Sequence, residues 1–176
     1  NKSGYVMSYI YDDLVDTWLA VGTEISNNVT GDKFGQSISV SGDGTRIAIG
    51  SQGIDDKKGS ASVYLKENND TWSMLGESAV GIESNDFFGH SVALSSDGNW
   101  MIVGSLGRKN KMEEHVGSVK FYNLSIPEVW NIGCGEVFGK TGENFGASVA
   151  ISSDGLWASV GVPSKDLVRV YRSSPI

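Results

Sequence analysis

The sequence predicts an all-β fold built from repeated units of about four antiparallel strands. Three observations support this prediction. A segment that opens with Phe-Gly and ends with Asp-Gly occurs three times in the 176 residues. Apolar and small polar residues alternate inside it with the period of two that is typical of a half-buried strand. No segment keeps an apolar face at helical spacing over three turns, so helices are not expected to contribute to the core.

The repeated segment has the same landmarks in each copy. It begins at Phe34-Gly35, Phe88-Gly89 and Phe145-Gly146, and it ends at Asp43-Gly44, Asp97-Gly98 and Asp154-Gly155. The phenylalanines are 54 and 57 residues apart. Asp-Gly between two alternating runs is the strongest short-range hairpin signal, because Gly readily takes the positive φ of a primed turn. We therefore expect a primed hairpin turn at each Asp-Gly pair.

The residues after each turn supply the remaining strands of the unit. A short apolar run closed by Gly covers residues 47–50, 101–104 and 158–161, and a Val-x-Val-Tyr type of run lies at 61–64, 116–122 and 168–171. Trp72 and Trp130 mark a fourth strand in two copies, and residues 4–18 match the back half of the unit. The chain is thus predicted to contain a partial unit at 1–33, full units at 34–87 and 88–144, and a partial unit at 145–176. Units of about 55 residues have the size of propeller blades.

These residues resemble the FG-GAP repeat family, the blade unit of integrin-α-like β-propellers. The shared elements are the Phe-Gly opening, the Ser-Val-Ala-x-Ser strand, the Asp-Gly turn and a small-residue stop, which reads here Gly50-Ser51, Gly104-Ser105 and Gly161-Val162-Pro163. The resemblance implies β-propeller blades in an extracellular protein used for adhesion or recognition. Since closed propellers typically have four to eight blades, we expect these three-plus units to be part of a larger propeller, or a protomer that needs partners.

The turns are poor candidates for a metal site. Calcium-binding members of the family carry several acidic residues in this loop, whereas each turn here has one, at Asp43, Asp97 or Asp154. Calcium takes six to eight oxygen ligands, so plain turns are favoured over calcium. His90 and His115 are too few and too scattered, with one Cys, for a zinc site. We predict no cofactor.

Two segments look catalytic but are better explained by the repeat. Residues 89–93, Gly-His-Ser-Val-Ala, resemble a nucleophile elbow. The serine recurs in register as Ser37 and Ser148 without a histidine, which indicates a structural role. Residues 133–141 end like a phosphate-binding loop, but Cys134 occupies the required Gly position and a strand follows. We predict no catalytic residue and no enzyme activity. Cys134 is expected to be a buried small residue or an unpaired thiol, or, if the chain is an excerpt, a cysteine separated from its disulfide partner.

Two tryptophans, Trp100 and Trp157, each lie two residues beyond an Asp-Gly turn. Packing between neighbouring blades is the favoured interpretation, because a large ring fills the space between sheets. An aromatic binding platform is the alternative.

Four Asn-x-Ser/Thr sequons, at Asn1, Asn28, Asn69 and Asn123, predict N-glycosylation. All fall at the chain start or in predicted loops, and Asn69 and Asn123 are expected between the third and fourth strands of their units. Together with the extracellular type of repeat and the single Cys, they predict a secreted or cell-surface glycoprotein.

The composition argues against two classes of partner. Acidic residues outnumber basic ones 21 to 14, for a net charge of −7, which does not suit nucleic acid. No apolar run approaches the ~18 residues of a membrane span.

The main function prediction is a non-catalytic extracellular recognition or adhesion module that binds a protein or glycan through its loop face. That face is expected to comprise the connections between units (residues 21–33, 76–87 and 134–144) and the loops between strands two and three (51–58, 105–115 and 163–167). Two alternatives are open: a structural spacer of a cell-surface or filament glycoprotein, and an accessory propeller of a larger secreted hydrolase. Further blades of the same parent protein, or self-assembly, are the expected partners of the open strand edges.

Overall fold

The computed structural model describes residues 3–125 and 129–173, and within them the chain is almost entirely strand and turn. The strands are β1 (Val6–Asp12), β2 (Thr17–Ile25), β3 (Ser37–Val40), β4 (Arg46–Ser51), β5 (Ser60–Lys66), β6 (Trp72–Met74), β7 (Ala79–Val80), β8 (Phe88–Leu94), β9 (Trp100–Ser105), β10 (Ser118–Ser125), β11 (Val129–Phe138), β12 (Val149–Ile151), β13 (Trp157–Val162) and β14 (Leu167–Arg172). A single turn, α1 (Ile54–Lys57), and a 3-10 turn at Pro163–Lys165 interrupt them. The all-β prediction is confirmed.

The strands form four antiparallel sheets in chain order. We call the hairpin β1–β2 the N-terminal half-blade, the sheet β3-β4-β5-β6 with β7 paired to β5 blade A, the sheet β8-β9-β10-β11 blade B, and the sheet β12-β13-β14 blade C. Neighbouring strands are consecutive in sequence, so each sheet is a meander. Blades A, B and C lie within the predicted units 34–87, 88–144 and 145–176; the division at those boundaries stays a prediction.

The apolar core lies between adjacent sheets. Alternation along β4 shows how this arises: Ile47 and Ile49 face the N-terminal half-blade, and Ala48 between them faces blade B. In β9, likewise, Met101 packs toward blade A and Ile102 toward blade C. Each middle strand therefore contributes side chains to two interfaces, and a blade buries both faces only when it has a neighbour on each side.

The Asp-Gly pairs form hairpin turns, but not the primed turns expected from the sequence. In the first turn the Ser41 N–H donates to the Arg46 carbonyl and the Gly44 N–H donates to the Ser41 carbonyl, so four residues connect the strands. Gly44 takes a φ of +71°, whereas Asp43 is not among the residues with positive φ. The pattern recurs at Gly98 and Gly155, with φ of +66° and +73°. Four-residue loops are usually built around a type I turn, whose two central residues, here Gly42 and Asp43, do not need positive φ and whose fourth position favours Gly.

Among the described residues, no helix is long and apolar enough to cross a membrane.

Candidate functional site

The repeated aspartates hold their own turns. The Asp43 carboxylate accepts hydrogen bonds from Ser41 Oγ at 2.6 Å and from the Thr45 N–H at 2.9 Å. These bonds, the one from Ser41 first, lower the pKa of Asp43 to about 2. Asp97 and Asp154 make the same two bonds with their neighbours. Across residues 3–125 and 129–173, no group of three His, Cys, Asp or Glu side chains is placed to hold a metal ion.

The repeated Phe-Gly pairs dock each blade on the blade before it. Phe88 is 1% exposed, and Ser37 Oγ of blade A donates to the Gly89 carbonyl at 2.8 Å. A Cβ on Gly50 would overlap the Gly89 carbonyl, and one on Gly59 would overlap the Phe88 carbonyl. We call these three positions of blade A, Ser37, Gly50 and Gly59, its Phe-Gly seat. Only glycine permits so close an approach of two backbones.

Blade B repeats this seat with Ser91, Gly104 and Gly117, and Phe145-Gly146 fills it. Ser91 Oγ donates to the Gly146 carbonyl at 2.8 Å, and Gly117 meets the Phe145 carbonyl as Gly59 meets that of Phe88. The Ser91 hydroxyl is thus engaged in blade docking, within a strand. The elbow-like sequence at 89–93 is therefore not a nucleophile elbow, which needs an exposed hydroxyl at a strand-to-helix turn.

The connections between units and the loops between strands two and three meet on one face, which we call the loop face. The Asn85 N–H donates to the Asp56 carbonyl, and the Gly107 N–H donates to the Asp86 carbonyl. The centre of this contact is Arg108, whose guanidinium lies 3.1 Å from the Glu83 carboxylate and 3.3 Å from that of Glu136. Charged side chains of the predicted ligand-binding face are thus partly paired with one another.

The charged cluster around Arg108 continues into the blade. Lys120 Nζ lies 3.7 Å from the Glu136 carboxylate, which also accepts a hydrogen bond from Ser118 Oγ. Burial, and then the Glu136 charge, raise the pKa of the neighbouring Tyr122 to about 12. Ionised groups this deep are retained only when paired, so the cluster is a structural element of blade B.

Sequence reasoning missed a buried carboxylate that precedes each Phe-Gly by two residues. Asp32, Asp86 and Glu143 are 1%, 2% and 4% exposed. Each accepts a backbone N–H of its own connection. Glu143 is also paired with Arg169, whose hydrogen bond lowers the pKa of that carboxyl. The available signal was an acidic residue at the same position of three repeats. Acidic residues are common in exposed loops, so this recurrence did not stand out.

A chain of polar side chains joins Gln36, just before β3 of blade A, through Gln52, just after β4, to His90 in β8 of blade B. His90 Nδ1 lies 2.8 Å from Gln52 Oε1, and Gln52 Nε2 donates to Gln36 Oε1 at 2.5 Å. Burial and the Lys33 charge lower the pKa of His90. The imidazole is therefore neutral near pH 7, and it can donate or accept a hydrogen bond with a polar ligand.

The packing interpretation is confirmed for Trp100. A Cβ on Gly155 would overlap its indole, so the ring lies on the turn of the next blade. The equivalent residue of blade A, Arg46, covers Gly98 and donates to Asn99 Oδ1 at 2.7 Å. Trp157 on blade C is exposed and stacks with Arg172.

The sequons have different surroundings. Asn28 and Asn69 are exposed in loops. Asn123 lies inside β10 and is half-buried, so its predicted placement between two strands is wrong. Asn1 lies outside the described residues, and glycosylation stays a prediction. Cys134 is exposed as a free thiol on β11, so the prediction of a buried residue is wrong.

The chain is similar in fold to three solved structures. The Pseudomonas aeruginosa periplasmic gluconolactonase matches at 14% identity and a TM-score of 0.64, with 99% of this chain and 51% of that one covered. A candidate 6-phosphogluconolactonase of Bacteroides uniformis matches at 12% identity and a TM-score of 0.64, with 96% of this chain and 46% of that one covered. Hydrazine synthase of Kuenenia stuttgartiensis matches at 12% identity and a TM-score of 0.60, with 97% of this chain and 52% of that one covered. This chain spans about half the length of these structures. No curated protein matches its sequence.

These similarities correct the main function prediction. The non-catalytic recognition or adhesion module was inferred from the FG-GAP resemblance alone. Two of the structures that share the fold over nearly the whole chain are instead described as lactonases. The prediction of an adhesion module is wrong, and the alternative of a propeller belonging to a larger hydrolase agrees better with the similar structures.

The resemblance drawn from the repeated residues is itself confirmed. Residues 25–65 match the family described as the FG-GAP repeat. That range contains Phe34-Gly35, the Asp43-Gly44 turn, β3, β4 and all but the last residue of β5 of blade A. The protein is therefore a β-propeller chain that carries an FG-GAP repeat.

Proposed function

We propose that this chain is a propeller segment of a larger hydrolase that acts outside the cytoplasm, and that it does not by itself contain a complete catalytic site. The observation that carries the proposal is the fold likeness to two lactonases over 96–99% of this chain but only 46–51% of theirs. The rest of such a propeller must then come from further blades.

The uncovered face of blade C supports the need for further blades. Val168 and Val170 are 65% and 64% exposed, whereas the residues at the same positions of blade B, Val119 and Phe121, are 0% and 7% exposed. Burying an apolar side chain of this size contributes about 1.5–3 kcal/mol. A neighbouring blade would supply that burial.

The polar chain of Gln36, Gln52 and His90 is the part of the segment best suited to a substrate: Gln36 and His90 are accessible, and Gln52, 5% exposed, holds both in place. Two carboxamides and a neutral imidazole offer donors and acceptors to hydroxyl groups without adding charge. A polyhydroxylated lactone presents such hydroxyls. In this proposal these side chains position the substrate, and the remaining blades contribute the groups that activate water.

A non-cytoplasmic location is supported by the FG-GAP repeat and by the periplasmic enzyme among the similar structures. The exposed sequons at Asn28 and Asn69 would be open to glycosylation in a secretory pathway.

The proposal is tested by hydrolysis of glucono-1,5-lactone, followed by acid release at constant pH. We expect the polypeptide that contains this chain to hydrolyse the lactone, and this chain alone to add nothing to spontaneous hydrolysis. In the larger polypeptide, Gln52→Ala should raise KM several-fold more than kcat falls. Ser73→Ala, on the exposed outer strand β6, is the matched control and should change neither.

Two results would contradict the proposal. A larger polypeptide inert toward lactones and esters would remove the hydrolase assignment. Hydrolysis by this chain alone, at the rate of the larger polypeptide, would remove the claim that its catalytic site is incomplete.

A further inference from the structure

Blade C carries an open groove of about 340 Å³, whose lining includes Ser148, Gly161, Asp166 and Val168. It lies on the face directed away from blade B. Its position in the repeat shows what it is built to receive.

Strand register relates this groove to the two filled Phe-Gly seats. Gly161 pairs with Val168 across β13 and β14. In blade A the equivalent pair is Gly50 with Ala61, and in blade B it is Gly104 with Val119. The residue two positions before the second member of each pair is Gly59 in blade A, Gly117 in blade B and Asp166 in blade C.

The serine of the seat is also present. Ser148 holds the place that Ser37 and Ser91 hold in the filled seats, where the hydroxyl donates to the carbonyl of an incoming Phe-Gly glycine at 2.8 Å. In blade C this serine is exposed. The groove therefore offers the same donor to an incoming backbone.

We infer that the groove on blade C is a Phe-Gly seat for the first strand of one further propeller blade. The occupant would insert a Phe ring against Val168, place its Gly against Gly161 and accept a hydrogen bond from Ser148. The two equivalent seats of this chain, on blades A and B, are each filled by the Phe-Gly of the following blade, so the same occupant is expected on blade C. The inference rests on the proposal that further blades complete the propeller.

Asp166 makes this seat different from the others. Gly59 and Gly117 leave room for the Phe carbonyl of the next blade, and a Cβ at either would overlap that oxygen. Asp166 has a Cβ and holds the same left-handed conformation, with φ of 50°. The incoming strand must therefore lie farther out, and blade C should bind it more weakly than blades A and B bind theirs.

The test uses the full chain and a blocked synthetic peptide with the sequence of residues 88–95, followed by amide chemical shifts. We expect saturable shifts confined to blade C, centred on Ser148 and Val168. A peptide with Ala in place of its Phe should bind at least tenfold more weakly. Asp166→Gly in the protein should tighten binding by about tenfold, because the overlap is removed. Val168→Lys, at an exposed position, should abolish binding without unfolding the chain.

Three results would overturn the inference: no shift on blade C, equal binding of the Ala peptide, or weaker binding to Asp166→Gly. A fourth would be dimerisation of the chain alone that Val168→Lys abolishes, since the seat would then belong to a second copy. The peptide assay does not depend on hydrolysis, so a failed lactone assay would leave this inference standing.

Discussion

Blades A and C have seats at equivalent positions, yet the seat of blade A is filled and that of blade C is open. Ala61 and Val63 of blade A are each 1% exposed, whereas their equivalents Val168 and Val170 are 65% and 64% exposed. The open positions are at least as apolar as the filled ones. Burial in this fold is therefore decided by whether a neighbouring blade is present, as expected where each repeat contacts only its neighbours.

The largest effect should come from emptying a filled seat. Phe88→Ala should destabilise the chain by about 3–5 kcal/mol, because the ring is fully buried between blades A and B. Val170→Ala on the open face should cost less than about 0.5 kcal/mol. Urea unfolding of both variants measures the difference, and similar losses would show that the open face is not free in solution.

The next largest difference should be in stability when a paired arginine is removed from blade B or from blade C. Arg108 of blade B has a side chain 12% exposed among three carboxylates, so Arg108→Met should cost about 3 kcal/mol, by leaving buried charges unpaired. Arg169 of blade C is 27% exposed and pairs with the buried Glu143, which keeps its hydrogen bond from the Lys140 N–H. Arg169→Met should therefore cost less than Arg108→Met, about 2 kcal/mol. Thermal unfolding in low and high salt checks the order. An equal loss for both variants would contradict the contrast.

The equivalent seat positions Gly117 and Asp166 should respond to substitution in opposite directions. Gly117→Ala places a Cβ against the Phe145 carbonyl at a φ of +72°, so we expect a loss of about 2 kcal/mol. Asp166→Gly relieves a non-glycine residue held at a φ of 50°, so it should stabilise the chain by up to about 1 kcal/mol. A destabilised Asp166→Gly in urea unfolding would show that the Asp side chain contributes more than its strain costs.

The smallest effect should be the pH response of the first turn. The folded pKa of Asp43 is lowered from 3.8 to about 2, so the ionised form stabilises the fold above about pH 4. That contribution is lost as pH falls toward 2. The urea midpoint of wild type should exceed that of Asp43→Asn at pH 6, and the two should converge near pH 2. Asp13→Asn in the exposed β1–β2 turn is the control, and a difference between wild type and Asp43→Asn that does not change with pH would refute the assignment.

Many contacts of the candidate site could not be predicted from the sequence, because they join residues that are distant along the chain. Arg108 meets Glu83 and Glu136 across two connections, and His90 meets Gln52 from another blade. Charged and amide side chains in loops usually face water, so nothing local marks them as paired. The buried acids at Asp32, Asp86 and Glu143 show the one available signal, which was their recurrence in register.

The sequence by itself determined the strands, their order within each blade and the positions of Phe34, Phe88 and Phe145. These follow from alternation, turn residues and repeat spacing, all of which act over a few residues. Tertiary structure alone decided which equivalent positions are buried, which charges are paired and which seat stays open. Those depend on the neighbouring sheet: the equivalent apolar positions are core in blade B, at Val119 and Phe121, and surface in blade C, at Val168 and Val170.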